Sequence, residues 1–74
     1  MKEQEIVVLT ENLGDGMQAG DVGTVVHVYP EGKAFEVEFM TFTGQTAAVL
    51  TVCRTQLRKV GDHEIAHARS LGAA

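Results

Sequence analysis

The chain has 74 residues, one cysteine and a formal net charge of -4 at pH 7. A chain of this length forms one domain, and folding buries only about 60% of the surface that the unfolded chain exposes. The single cysteine, Cys53, excludes an internal disulfide and fits a reducing compartment. No apolar run approaches the roughly 20 residues that span a bilayer, and residues 1–5 are charged, unlike a signal peptide. We therefore expect a cytoplasmic protein with no membrane segment.

The charge is distributed unevenly along the chain. Residues 1–52 carry two lysines against eight acidic side chains, whereas residues 53–74 carry four basic side chains against two acidic ones. An acidic body repels polyanions, which argues against a nucleic-acid partner. The segment after this body offers only a small basic patch, made of Arg54, Arg58 and Lys59.

Short apolar segments separated by glycine-rich or proline-containing turns predict an all-β domain, a small five-stranded barrel. The expected strands are residues 5–10, 22–29, 34–40, 46–52 and 58–60. One turn of helix is expected just before the last strand.

The third expected strand has the clearest pattern. Phe35, Val37 and Phe39 alternate with Glu36 and Glu38. This period of two predicts that the apolar side chains face the core and the glutamates face water. The alternation also explains the paired glutamates without a catalytic role.

The chain divides into a barrel, residues 1–61, and a short tail, residues 62–74. Ile65 and Leu71 are spaced for one face of a helix that Gly72 would end. An isolated helix of this length is marginal in water. The tail is therefore expected to be either a short helix or disordered.

Residues 19–26, Ala-Gly-Asp-Val-Gly-Thr-Val-Val, look like the G-D-x-G-x-V entry to the second strand of many SH3-like barrels. Together with residues 36–39, Gly44 and residues 56–58, they resemble the small bacterial proteins of the domain of unknown function 4926 family. The resemblance covers residues 5–60 and implies the SH3-like barrel fold. The layout is also similar to barrels that dock in electron-transport and hydratase complexes, and to KOW-type barrels that contact RNA.

The tail contains a literal H-E-x-x-H motif, His63-Glu64-Ile65-Ala66-His67. On a helix this motif places two imidazoles one turn apart, where they can share a zinc ion, with the glutamate beside a metal-bound water. A catalytic zinc needs a third protein ligand, and the residues after His67 include no His, Cys, Asp or Glu. We therefore predict no metal, no other cofactor and no catalytic residue.

Two further residues suggest chemistry but have structural explanations. Cys53 lies beside Arg54, and a neighbouring cation can make a thiol reactive, but no second cysteine accompanies it. His27 lies in the middle of the second strand, where a regular strand would place it on the same face as Val25 and Tyr29. We interpret it as a surface or interface histidine.

Apolar and aromatic side chains outside the expected core are candidates for contacts with a partner. Phe42 lies in a hairpin loop between two threonines, where a large apolar side chain has no evident core to enter. Met17 is also expected to fold over one end of the core. The interaction candidates are Phe42, Met17, Ile65, Leu71 and Tyr29.

Three classes of function fit the sequence. The first, which we favour, is a non-catalytic protein-interaction module, whether a homo-oligomer, an accessory subunit or the neutralising partner of another protein. The second is a KOW-type RNA-binding barrel, and the third is a zinc-dependent hydrolase. Because a chain this short has little core, we expect a symmetric homodimer. The alternative is a monomer whose tail packs across its own barrel.

Overall fold

The computed structural model describes residues 1–71 and has five antiparallel strands in one sheet, in the order β4-β3-β2-β1-β5. The strands are β1 (Ile6–Leu9), β2 (Val22–Val28), β3 (Ala34–Met40), β4 (Thr46–Cys53) and β5 (Leu57–Lys59). Short 3-10 turns occupy Pro30–Gly32 and Arg54–Gln56, the second where one helical turn is predicted. The prediction of an all-β, five-stranded fold is confirmed. Neither turn is long or apolar enough to cross a membrane, and residues 1–71 contain no other helix.

Closure of the sheet differs from the expected barrel. β4 and β5 are its two edges, and no ladder joins them within residues 1–71. All three residues of β5 pair with β1, after which the chain leaves the sheet.

The core lies on one face of the sheet. Phe35 is 1% exposed, Val37 is fully buried and Phe39 is 3% exposed, whereas Glu36 and Glu38 are half-buried on the outer face. The period of two in β3 therefore predicted its faces correctly. The whole core cluster consists of Val7, Leu9, Met17, Val25, Phe35, Val37, Phe39, Val52 and Leu57.

A β-bulge changes the direction of side chains in β2. Val25 pairs with Val37, and His27 pairs with Glu36, so the register shifts by one residue between them. As a result Val25 is buried in the core while His27 is exposed on the outer face. The prediction that they share a face is wrong, because it assumed a regular strand. His27 does contact Tyr29, edge to face, with ring centroids 4.8 Å apart.

The tail forms no helix within the part that the structure describes. A turn occupies residues 62–63, and the chain is irregular from Glu64 to Leu71. Of the two expected states, the helical one is therefore not formed, and the Ile65–Leu71 helical face does not exist. Gly72, the expected helix end, lies outside the described residues.

Gly23 provides a test of the packing between β2 and β3. A Cβ atom there would lie 2.5 Å from Val37 Cγ1 and 3.0 Å from the backbone oxygen of Glu38. Overpacking of this kind typically costs 1–3 kcal/mol. We expect Gly23→Ala to lower the free energy of unfolding by about 2 kcal/mol, measured by urea denaturation. Gly14→Ala is the control, because nothing lies within 4 Å of its Cβ position. Equal stability of the two variants would contradict the tight packing.

Candidate protein-interaction site

A second apolar cluster lies on the outer face of the sheet, opposite the core. Val8 is 4% exposed but is not part of the core cluster, since its neighbours Val7 and Leu9 face inward. Val8 pairs with Val22 of β2. Tail residues 64–67 line the same hollow as these two valines. The tail therefore runs along the outer face beside β1 and β2.

A bidentate ion pair anchors the start of the tail. Arg58 Nη1 and Nη2 each donate to a Glu64 carboxylate oxygen at 2.7 Å. The Gly61 N–H donates to the same carboxylate at 2.6 Å. The hydrogen bonds from Arg58 and then Gly61 lower the pKa of Glu64 from its ordinary value of 4.5 to about 2. The glutamate of the H-E-x-x-H motif is thus engaged in holding the tail.

A second ion pair anchors the end of the tail to the first loop. Arg69 donates through Nε and Nη2 to the Asp21 carboxylate, at 2.7 and 2.6 Å. Arg69 Nη2 also donates to the Gly16 carbonyl at 2.8 Å, and Asp21 accepts the Gln18 N–H at 2.7 Å. The hydrogen bonds from Arg69 and from Gln18 outweigh partial burial, so the pKa of Asp21 lies below its ordinary value. The described part of the tail, residues 62–71, is therefore held near both of its ends.

An open groove of about 460 Å³ lies between the anchored tail and the β3–β4 hairpin; we call it the tail groove. Met40, Phe42 and Ala47 line the hairpin side, and Ala66 and Leu71 line the tail side. Phe42 is 80% exposed and Met40 is 50% exposed. The groove is thus an open hollow whose walls are mainly apolar, which is the composition of many binding sites.

The loop that carries Phe42 is well fixed by hydrogen bonds. The Thr41 N–H donates a hydrogen bond to the Gln45 carbonyl at 2.8 Å, and the Gln45 N–H donates to the Thr41 hydroxyl. The Thr41 and Thr43 hydroxyls lie 2.9 Å apart. Gly44 adopts a positive φ of 90°, which glycine tolerates without strain. The hairpin therefore holds an exposed aromatic ring on an ordered loop.

The structure brings together only some of the predicted interaction residues. Three of them line the tail groove: Phe42, Met17 and Leu71. Met17 is only 5% exposed and belongs to the core, in agreement with the expectation that it folds over one end of the core. Met17 therefore lies at the floor of the groove and offers little contact surface. Ile65 is 93% exposed and lines the hollow on the other side of the tail. Tyr29 lies beyond the far end of β2.

Sequence reasoning missed two features of the groove. Met40 continues the outer face that Glu36 and Glu38 define, so the period of two in β3 could have placed it there. The Asp21–Arg69 pair had no such signal, because the two residues are 48 positions apart in the chain.

The residues of the H-E-x-x-H motif do not form a zinc-binding pattern. The segment is irregular, so His63 and His67 do not lie one helical turn apart. No three His, Cys, Asp or Glu side chains within residues 1–71 lie close enough together to hold a metal ion.

Acidic neighbours offset most of the basic patch. Arg58 is bound to Glu64, and Lys59 Nζ lies 3.5 Å from a carboxylate oxygen of Glu5. Arg54 is exposed beside them. The patch therefore presents less positive charge than its sequence suggests.

The comparison with protein families gives one match. A family model described as "Domain of unknown function (DUF4926)" matches residues 3–59, which include all five strands. The chain belongs to this family, and the resemblance stated from its sequence is confirmed. No curated protein and no solved structure shows significant similarity to the chain. The tail that walls the groove lies beyond the matched residues.

Acid should release the start of the tail. Since the pKa of Glu64 is lowered from 4.5 to about 2, its contribution to docking is complete above pH 4.5 and is lost as the pH falls toward 2. In an NMR titration we expect the Gly61 amide signal to shift with a midpoint near pH 2. Glu64→Gln should abolish this transition, and Glu3→Gln should leave it unchanged. A wild-type midpoint near 4.5 would contradict the ion pair.

Proposed function

We propose that the chain is a non-catalytic protein-interaction module that binds a partner protein through the tail groove. The observation that carries the proposal is Phe42, an 80% exposed aromatic side chain held on a hydrogen-bonded hairpin beside an apolar groove. Aromatic side chains dominate the binding energy of many interfaces. Because its loop is already ordered, Phe42 loses little conformational entropy when it binds.

The groove suits a short apolar segment of a partner. Its volume of about 460 Å³ is within the range of pockets that accept compact ligands, and Met40 and Leu71 extend its apolar surface. The charged groups near it, Asp21 and Arg69, satisfy each other, so they do not require a charged ligand. A second copy of this chain or a different protein would fit the proposal. We further propose a cytoplasmic location, which the single cysteine supports.

The two alternative functions have less support. An RNA-binding barrel needs a positive surface, but Glu64 and Glu5 offset Arg58 and Lys59. RNA binding would show as a shift in mobility that weakens steeply with salt. A zinc-dependent hydrolase needs the helical spacing that the irregular tail lacks.

The test of the groove is a comparison of matched bait proteins. The tagged full chain is used to capture partners from its own host, beside a Phe42→Ser bait and a Val26→Ser control. Val26 is 37% exposed but does not line the groove. We expect capture of a specific partner to fall at least tenfold with Phe42→Ser, the size of effect that loss of a central aromatic contact produces, and to be unchanged with Val26→Ser.

The captured partner is then purified, and its dissociation constant for each of the three chains is measured by calorimetry. A partner that binds wild type and Phe42→Ser equally well would show that the tail groove is not the binding surface. Equal loss with both variants would point to a general effect on folding, which the NMR spectra of the variants would reveal.

A further inference from the structure

The two edges of the sheet differ in how well they are protected against pairing with another strand. β5 has three residues, of which Arg58 and Lys59 are charged. β4 has eight residues, Thr46–Cys53, with the sequence TAAVLTVC and no charge or proline. Natural proteins usually block such edges with charges, prolines or short strands. β4 is therefore the edge of this sheet that is open to a further strand.

The described part of the tail, residues 62–71, is anchored away from this edge. Its anchors are Arg58 beside β5 and Asp21 at the start of β2, on the opposite part of the sheet from the β4 edge. The described tail residues therefore contact the chain's own sheet and first loop at sites away from β4.

The backbone geometry shows which groups of β4 point outward. The Arg54 N–H donates to the Lys33 carbonyl at 2.9 Å, so these opposed residues form a hydrogen-bonded pair. Bonded and non-bonded pairs alternate along an antiparallel ladder. Counting back from Arg54, the N–H and C=O groups of Cys53, Thr51 and Val49 point away from β3. The Cys53 N–H agrees with this assignment, because it donates to the Gln56 side chain at 3.0 Å.

Val49 and Thr51 are therefore the outward residues whose N–H groups remain for a new strand. Neither takes part in the backbone hydrogen bonds that the structure places outside the strand ladders of residues 1–71. An antiparallel strand that offers the same two residues in reverse order would satisfy both. A second copy of β4 does so when a two-fold axis passes beside Leu50.

We propose that two copies of the chain pair antiparallel through β4, with Val49 opposite Thr51 of the second copy and Leu50 facing its equivalent at the two-fold axis. The proposal names one partner for the interaction module proposed above, and its central residues, Val49, Leu50 and Thr51, do not line the tail groove. In this arrangement the β4 edge of each copy pairs with the β4 edge of the other. No β4 edge is left for a third copy, so the assembly stops at a dimer. The chain carries a net charge of -4, which makes two copies repel, and β4 is the uncharged edge at which they can meet.

Removal of one outward N–H tests the pairing. Val49→Pro deletes a donor that the dimer needs but that β3 does not use, and proline is tolerated at edge positions whose N–H faces solvent. Val49→Thr is the matched control, because it keeps the N–H and the branched side chain. By sedimentation equilibrium at micromolar concentrations, we expect wild type and Val49→Thr at twice the 8.0 kDa monomer mass. Val49→Pro should dimerise at least tenfold more weakly. A wild-type chain that stays monomeric overturns the proposal.

Cysteine crosslinking tests the register and does not depend on the proline variant folding. Single cysteines at positions 49, 50 and 51 are introduced into a Cys53→Ser chain and oxidised. We expect rapid disulfide-linked dimers from Leu50→Cys, because residues that face each other in a non-bonded antiparallel pair lie within disulfide reach. Faster crosslinking at 49 or 51 overturns the proposed register.

The Phe42→Ser variant separates this proposal from the tail groove. Phe42 lies on the hairpin and outside the predicted β4 pairing, so Phe42→Ser should retain the wild-type dimer mass. A Phe42→Ser chain that becomes monomeric would assign the dimer to the groove and overturn pairing through β4. Loss of partner capture with an intact dimer would support both surfaces.

Discussion

The carboxylate of Asp21 holds the tail beside the groove. Asp21 accepts hydrogen bonds from the Gln18 N–H within the first loop and from the Arg69 guanidinium of the tail. The same loop is bound to β1, because Leu9 donates to the Asp21 carbonyl and accepts from the Gly20 N–H. Sheet, loop and tail are therefore linked through adjacent residues. Loss of the Arg69 contact would free the part of the tail that carries Leu71, while the Arg58–Glu64 pair would still hold the start of the tail.

The core and the proposed binding surface are different parts of the molecule. The core is made of apolar side chains on the inner face, whereas the Arg58–Glu64 pair is exposed and the Arg69–Asp21 pair is partly buried. Exposed ion pairs contribute little to the free energy of unfolding and are weakened by salt. They do determine where Ala66 and Leu71 lie. Changes in the groove should therefore alter binding without unfolding the sheet.

The sequence predicted the parts of the structure that depend on local pattern. The alternation in β3 placed Phe35 inside and Glu36 outside, because side-chain direction follows the period of two. The position of His27 was missed, since a β-bulge in β2 has no clear signature in the sequence. The sequence left the tail open between a short helix and disorder, because the contacts of Glu64 and Arg69 with the sheet and first loop have no local signature.

The two proposed surfaces differ in how far they depend on the tail. All of β4 lies within residues 3–59, which match the family model, whereas Ala66 and Leu71 lie beyond them. Pairing through β4 needs only the sheet edge, so any chain that shares an uncharged edge of this length has the same means of self-association. The tail groove also requires a tail that is anchored to the first loop, as Arg69 anchors this tail to Asp21. The proposal of pairing through β4 therefore rests on the matched region alone, whereas the proposal of binding in the tail groove also needs residues beyond it.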